Sequence, residues 1–519
     1  MECEKREVDV YRQNAVITDQ FYIDDDYNVP DVKSDVQKVV FGTGAIRVEA
    51  LAVVENYLRV SGRMDFRILY VTDEGDFRLE VLEGKIPFEE MIYAEEAGRW
   101  NPFVKQAQAE LTVSMIHSRK LNIKALAELQ ICQEKEEVIS LTTDIEAGFP
   151  VYKKYREQEL LKLILLKKDT CRIKEEVGIG GTKESIGTLL WTETASRKLD
   201  TRLAGDELLI QGELSVFCLY ESLEGKADWT EQIVPYESRV ECRGAGDHMY
   251  HQICTELTEA VIEPRLDEDG EMRLLGLEAT LEMRLFICEE EKLQVLEDMY
   301  SLTQECRPQY RDVAAERLLM QNHSKCKVTE RLSLPEIKDE ILQICHSSAR
   351  VQVEHIQAED TGVRVEGVLH ICFLYVRSSD TVPFDVWQGM VPFSCLLESR
   401  ETAPDMNCDI SCGVEQMAVG LLGSDEVEVK AVLTFHSFLR GPVHIRNIEE
   451  VSYAPVDLAE MEKRPGIVGY IVKEGDDLWK LAKAYSTTTE GIREVNELET
   501  DEIKEGDKLL IFKENMSIL

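Results

Sequence analysis

The sequence has no apolar run long enough to cross a bilayer. Its longest, Leu160 to Leu166, is broken by Lys162 and falls far short of the ~20 residues that a membrane helix needs. The first residues, Met1-Glu2-Cys3-Glu4-Lys5-Arg6-Glu7, contain no apolar segment, so a secretory leader is not expected. None of the fourteen cysteines forms a CxxC pair. With no route to an oxidising compartment and ample length for a core, they are expected to be reduced. Several, such as Cys218 and Cys372, sit inside apolar strand patterns and read as small buried hydrophobes. Basic residues are also scarce, 59 against 99 acidic, for a net charge of −40. An acidic surface of this size disfavours phosphate backbones and anionic lipids, so no nucleic acid is expected as a partner, and the short apolar runs predict no transmembrane segment. Basic protein surfaces and polymerising assemblies remain as partners.

Sites for nucleotide chemistry are missing as well. Gly42-x-Gly44 lacks the third glycine of a dinucleotide fingerprint. Gly178-Ile179-Gly180-Gly181-Thr182-Lys183 lacks the Gly-Lys-Ser/Thr ending that places a phosphate-loop lysine and Mg²⁺ hydroxyl. One cluster has metal-like residues, His248-x2-His251-x2-Cys254 with Cys242 upstream. Its spacing is not that of a zinc finger, and no matching cluster recurs elsewhere in the chain. With no nucleophile–base pattern visible, no catalytic residue, metal or cofactor is expected.

What the 519 residues do have is internal repetition. Gly62…Leu69-Tyr70, Gly212…Leu219-Tyr220 and Gly367…Leu374-Tyr375 each place a tyrosine eight residues after a glycine. A Pro-aromatic pair follows in each copy: Pro87-Phe88, Pro235-Tyr236 and Pro392-Phe393. Later comes a strand with a central alanine, Ala125, Ala279 or Ala431. Thirty-two residues before the glycine, Pro30-Asp31-Val32-Lys33 and Pro335-Glu336-Ile337-Lys338 match; the second copy has Gly180-Gly181-Thr182-Lys183 there. The period of 150 to 155 residues exceeds any solenoid unit and marks tandem domains. Within a copy, Leu58, Val60, Met64, Phe66, Ile68 and Tyr70 alternate with polar residues, the pattern of a strand with one wet face. Hairpin turns are expected at Ser118-Arg119-Lys120, Asp267-Glu268-Asp269-Gly270 and Gly423-Ser424-Asp425-Glu426. The fold class is mainly β: three sandwich-like repeats over residues 1–150, 151–308 and 309–452 with equivalent topology, then a Pro-bearing linker over 453–468.

Residues 469–513 read differently. Tyr470-Ile471-Val472 is a short strand that ends at Gly475-Asp476. Asp477 is a suitable N-cap. Leu478, Leu481, Ala482 and Tyr485 make one apolar helix face, off which Trp479 falls, as a partner contact or a partly exposed anchor. Thr487 or Thr488 caps a second helix with Ile492 and Val495, and Gly506-Asp507 turns into Lys508-Leu509-Leu510-Ile511-Phe512. This βααβ order, with Gly-Asp-x-Leu-Trp, Asn496-x-Leu498 and Ile503-Lys-x-Gly-Asp-Lys-Leu, closely resembles the LysM family. The resemblance implies a shallow groove for N-acetylated glycans, with Gly475, Asp476, Asp477 and Leu478 on one side and Asn496, Leu498 and Ile503 on the other. Asp477 stands where the family usually has threonine, and Tyr470–Lys513 holds eleven Asp/Glu against seven Lys/Arg.

Three acidic β-rich copies followed by one LysM module resemble the SPOCS-domain family of spore-coat morphogenetic proteins of spore-forming clostridia, SipL-type in architecture. That resemblance implies a non-enzymatic scaffold in the mother-cell cytoplasm at the forespore surface and in the spore coat. It also implies as partners the coat ATPase of the SpoIVA type and other coat proteins, bound through the LysM module; Trp479, a residue type often found as an interface anchor, is expected at that contact. The rival is a wall protein that binds peptidoglycan or chitin-type glycan through the same groove. A third reading is a metal-dependent enzyme centred on His248. The module is expected to fold without the repeats, and to prefer a protein to a glycan because Glu474, Asp476 and Asp477 crowd the groove rim.

Overall fold

The six apolar positions that alternate from Leu58 to Tyr70 form one strand face, and none is more than 1% exposed. The computed structural model describes residues 2–72, 78–378, 384–457 and 465–514. In it this strand is β4 (Tyr57–Thr72), paired antiparallel with β3 (Val36–Val54) and β5 (Leu79–Tyr93). A second sheet faces it. There β7 (Lys120–Glu146) pairs with β6 (Asn101–His117) on one side. On the other it pairs with β2 (Ile17–Asn28) and then β1 (Glu2–Gln13). Phe21, Ile23 and the alternating Leu121, Ile123, Ala125, Ala127, Leu129 and Ile131 meet the β4 face in one core.

The same topology recurs twice. The second copy joins β9 (Ile186–Ala204), β10 (Glu207–Ser222) and β11 (Ala227–Glu241) in one sheet, with β10 central. Its other sheet is β8 (Tyr152–Gly178), β13 (Met272–Tyr300) and β12 (Tyr250–Leu266), with β13 central. In the third copy, β15 (Ile341–Glu359), β16 (Gly362–Arg377) and β17 (Phe384–Glu398) face β14 (Gln304–Ser333), β19 (Glu426–Pro455) and β18 (Asn407–Leu421). Strands take 76% of the structure and helices 4%, so the fold is mainly β. The three expected hairpin turns join β6 to β7, β12 to β13 and β18 to β19.

The repeated residues have packing reasons. Gly62, Gly212 and Gly367 lie on the central strands, directly opposite Phe88, Tyr236 and Phe393. Each sits beside a register shift in the pairing with the neighbouring strand. A Cβ on Gly62 or Gly367 would collide with the carbonyl oxygen of Arg47 or Gln352, and one on Gly212 with the Tyr236 ring. The prolines before the aromatics lie on β5, β11 and β17, edge strands where a missing N–H costs no ladder bond. Each tyrosine of the Leu-Tyr pair is buried opposite a carboxylate: Tyr70 with Glu80, Tyr220 with Asp228, Tyr375 with Asp385. The Tyr70 hydroxyl donates to Glu80 at 2.6 Å, which satisfies the polar end of a buried ring. Gly367→Ala is therefore expected to cost about 1–3 kcal/mol, because the methyl meets backbone that cannot turn aside. Chemical denaturation checks this, and an unchanged midpoint would contradict it.

The copies are not beads on a string. Beyond each sandwich the first and last strands run on as two-stranded ribbons, β1/β7, β8/β13 and β14/β19, and the three ribbons pack together. Val8, Val10, Ile139 and Leu141 of the first copy share a cluster with Leu160 and Val295 of the second and Ala315 and Ile445 of the third. Further along, Ile145 joins Leu296, Met299, Ile448 and Val451. The sheets around β4, β10 and β16 also meet, through Leu69 and Val71, Phe217 and Leu219, and Leu374. Of the linker expected over 453–468, residues 458–464 lie outside the described residues. Tyr453 to Pro455 complete β19, and the next strand begins at Ile467.

Between the second and third copies lie three histidines. His323 pairs across the β14–β19 ladder with His436, ring centroids 4.1 Å apart. His251 bonds Thr201 at 2.9 Å. Burial pushes His251 and His436 down to about 4, His323 adds repulsion, and Asp200 pulls weakly the other way. Unfolded histidines take up protons near pH 6.5, while these resist until about pH 4. The contribution of the two histidines should thus be whole at pH 7, fall as pH drops from 6.5 to 4, and level below. Denaturation midpoints at pH 7, 5.5 and 4.5 test this. A flat profile, or one unaltered by His436→Gln, would refute it.

Candidate functional site

The C-terminal module builds the expected strand, helix, helix, strand. β20 (Ile467–Ile471) pairs antiparallel with β21 (Lys508–Phe512), and α1 (Leu478–Tyr485) and α2 (Thr489–Val495) lie between them in the chain. Both Gly-Asp pairs make the same turn. Gly475 and Gly506 take φ of 80° and 89°, the left-handed region that glycine enters without a steric cost. The following Asp476 and Asp507 accept from the amides of Lys473 at 2.9 Å and Lys504 at 2.8 Å. Asp477 caps α1 by accepting from Lys480 N at 2.6 Å, and Thr488 rather than Thr487 caps α2, accepting from Gly491 N at 2.8 Å. Leu478, Leu481, Ala482, Ile492, Leu509 and Ile511 are buried together, with Tyr485 half-buried against them.

The groove positions differ in what they leave open. Gly475 has free space where a side chain would stand. Asp476 is engaged by the Lys473 amide and by the Tyr470 hydroxyl at 2.8 Å, which hold its carboxyl below the usual range. Leu478 is core. Asn496 spends its side chain on the frame: Nδ2 donates to the carbonyls of Ile492 at 2.8 Å and Leu510 at 2.7 Å, and Oδ1 accepts from Leu510 N at 2.7 Å. Leu498 and Ile503 pack half-buried on the same core. Gly475 thus offers open backbone, while Asp476, Leu478, Asn496, Leu498 and Ile503 are engaged within the module.

Trp479 does not face solvent alone. Its Nε1 donates to Asp298 Oδ2 at 2.8 Å, and its ring meets Tyr300 edge-on at 4.9 Å. Both partners belong to the end of β13. Lys483, one turn along α1, bonds both oxygens of Asp298 at 2.7 and 2.9 Å. The Tyr300 hydroxyl donates to the Thr487 carbonyl at 3.0 Å, and Lys154 reaches Asp477 at 3.1 Å. Tyr300 and Leu302 sit inside the module's own apolar cluster. Burial pushes the Asp298 carboxyl up, but Lys483, Trp479 and Tyr310 outweigh it and hold the group below its ordinary value. Its contribution is whole above that ordinary value and is lost as pH falls through the lower folded one.

Sequence reasoning missed this corner, because nothing local marks Asp298 or Tyr300 as facing a segment more than 170 residues away. It also missed the outer face of the β20–β21 sheet. Ile467, Ile471, Leu510 and Phe512 are 58%, 60%, 49% and 41% exposed. Ile467 stands directly opposite Phe512. The signal was there: Leu509-Leu510-Ile511-Phe512 does not alternate, so a two-stranded sheet with one buried face must expose the other half.

His248, His251 and Cys242 of the metal-like cluster have separate partners. His248 bonds Glu289 at 3.2 Å, His251 faces Thr201, and Cys242 is buried with its thiol donating to Val240 O at 3.3 Å. Among the described residues no group of three or more His, Cys, Asp or Glu is placed to hold a metal ion. No helix among them is long and apolar enough to cross a membrane.

Comparison with protein families gives two matches. The family "SipL, SPOCS domain" matches residues 340–422, the strands β15 to β18 of the third copy. The LysM domain family matches residues 470–512. Both are non-catalytic binding-domain families. The first two copies lie outside the matched residues; the shared topology and register relate them to the third. No curated protein and no solved structure matches the chain.

Proposed function

We propose that this chain, a SipL-type protein with a SPOCS domain and a C-terminal LysM domain, is a non-enzymatic adaptor of the bacterial spore coat. In this reading it works in the mother-cell cytoplasm at the forespore surface, where its LysM module binds the coat-morphogenetic ATPase of the SpoIVA type. The packed repeats provide the rigid body that carries the module and meets other coat proteins.

The observation that carries a protein partner, rather than a glycan, is the exposed apolar face of the β20–β21 sheet. Ile467, Ile471, Leu510 and Phe512 offer an apolar surface, bordered by Lys508 opposite Ile471, of the kind that the centre of a protein interface covers. A sugar polymer, by contrast, needs free hydrogen-bonding groups. In this module the Asn496 amide, the Asp476 carboxylate and the Asp477 carboxylate are already engaged within the chain. The net negative charge of the module, eleven Asp/Glu against seven Lys/Arg over Tyr470–Lys513, favours approach by a basic protein surface. Titrating the full-length chain with the ATPase, and separately with chitin oligomers, tests this. Saturable ATPase binding with no glycan binding is the expected result, and the reverse pattern would overturn the proposal.

A further inference from the structure

Trp479 and Lys483 stand one turn apart on α1 and converge on a single carboxylate, Asp298. That carboxylate also accepts from Tyr310 of β14 at 2.9 Å. It thereby joins the second copy, the start of the third and the module. Around it, Tyr300 is 5% and Leu302 4% exposed, both packed into the module's apolar cluster. The indole N–H is the only donor of the Trp479 side chain, and Asp298 takes it. No backbone ladder crosses this boundary, since β20 and β21 pair only with each other. Among the described residues the module is therefore held by contacts of side chains, one of them to the Thr487 carbonyl, and can separate without breaking a sheet.

We infer that the Asp298–Leu302 corner of the second copy is a docking site for the LysM module, and that Trp479 is a positioning residue that acts through this site rather than by touching a partner. The docked pose takes up the outer side of α1 and leaves the apolar sheet face of Ile467, Ile471, Leu510 and Phe512 outward. A partner that reads the sheet face meets a module already fixed in orientation, with its ordering entropy spent beforehand. The inference rests on the function proposed above only for the identity of that partner.

The test uses the full-length chain and the variants Asp298→Asn, Trp479→Ala and the double variant. Asp298→Asn alters no residue of the module and loosens the docking contact by removing the charge that Lys483 pairs with. Trp479→Phe keeps the ring and removes the N–H, and should fall between wild type and alanine. Hydrogen exchange at the α1 amides of Leu481 to Tyr485 should quicken at least tenfold in both single variants, with the sandwich strands unchanged. Affinity for the proposed partner should shift by the same factor in both singles, within twofold, and no further in the double variant. Unchanged α1 exchange in Asp298→Asn would overturn the docking site. A tenfold loss of affinity in Trp479→Ala that undocked Asp298→Asn does not share would show that Trp479 touches the partner, and would overturn the positioning role. If the wild-type chain does not bind the partner at all, the proposed function fails, and the exchange comparison still decides the docking site.

Discussion

Replacing Arg440 by alanine is expected to destabilise the protein by about 3–5 kcal/mol. It takes a buried guanidinium from two part-buried carboxylates and, among the described residues, leaves Glu316 without an ion-pair partner, while Asp409 keeps only Lys105 at 3.9 Å. Arg440 is 1% exposed. Its guanidinium donates to Glu316 at 2.7 Å, Asp409 at 2.8 Å and Gln13 at 2.6 Å. It also lies 5.0 Å from the Tyr11 ring and 5.9 Å from that of Phe286. Gln13 and Tyr11 come from the first copy, Phe286 from the second, and the two carboxylates from the third. The residue thus closes the point where the three ribbons diverge into sandwiches. Removing it should split one cooperative unfolding transition into two or more, visible by calorimetry. A single transition with unchanged midpoint would mean that the copies are joined elsewhere.

The second large effect concerns binding. Leu510→Glu should weaken the complex with the proposed ATPase about a hundredfold, roughly 2.7 kcal/mol, while altering stability by less than about 0.5 kcal/mol. The side chain is 49% exposed and points away from the core that Leu509 and Ile511 fill. A carboxylate there meets water in the free protein but would be desolvated in a complex. Calorimetric titration of the full-length variant measures it. Unaltered affinity would remove the sheet face from the interface.

These two sites differ in how far the sequence announces them. The β4 face was legible because Leu58 to Tyr70 alternate over a whole strand, and the helices of the module because Asp477, Leu478, Leu481 and Ala482 state a cap and a face within six residues. The glycine, aromatic and tyrosine landmarks were visible as repeats. Their reason, a bulged neighbour and a cross-strand carboxylate, depends on register and needed the structure. The ribbons were not legible. β7, β8, β13, β14 and β19 run 27 to 30 residues, far beyond ordinary strands. Their partners in the shared clusters also lie in other copies, so no local pattern distinguishes ribbon from sandwich. Within the module, Asn496 looked like a groove residue because of its place after α2. Its amide instead pins β21 to the helix, a role that the spacing alone does not separate from ligand binding. Trp479 was seen to fall off the helix core, but its partner Asp298 is distant in sequence and unmarked.

The account stands on the module reading a protein surface. The most direct measurement is a paired titration of the wild-type full-length chain, one arm with the coat ATPase of the SpoIVA type and one with chitin oligomers, in the same buffer. The account predicts saturable binding of the ATPase, weakened by Leu510→Glu, and no heat with the glycan. Glycan binding at micromolar concentration with no detectable ATPase binding would contradict it and favour the wall-binding alternative.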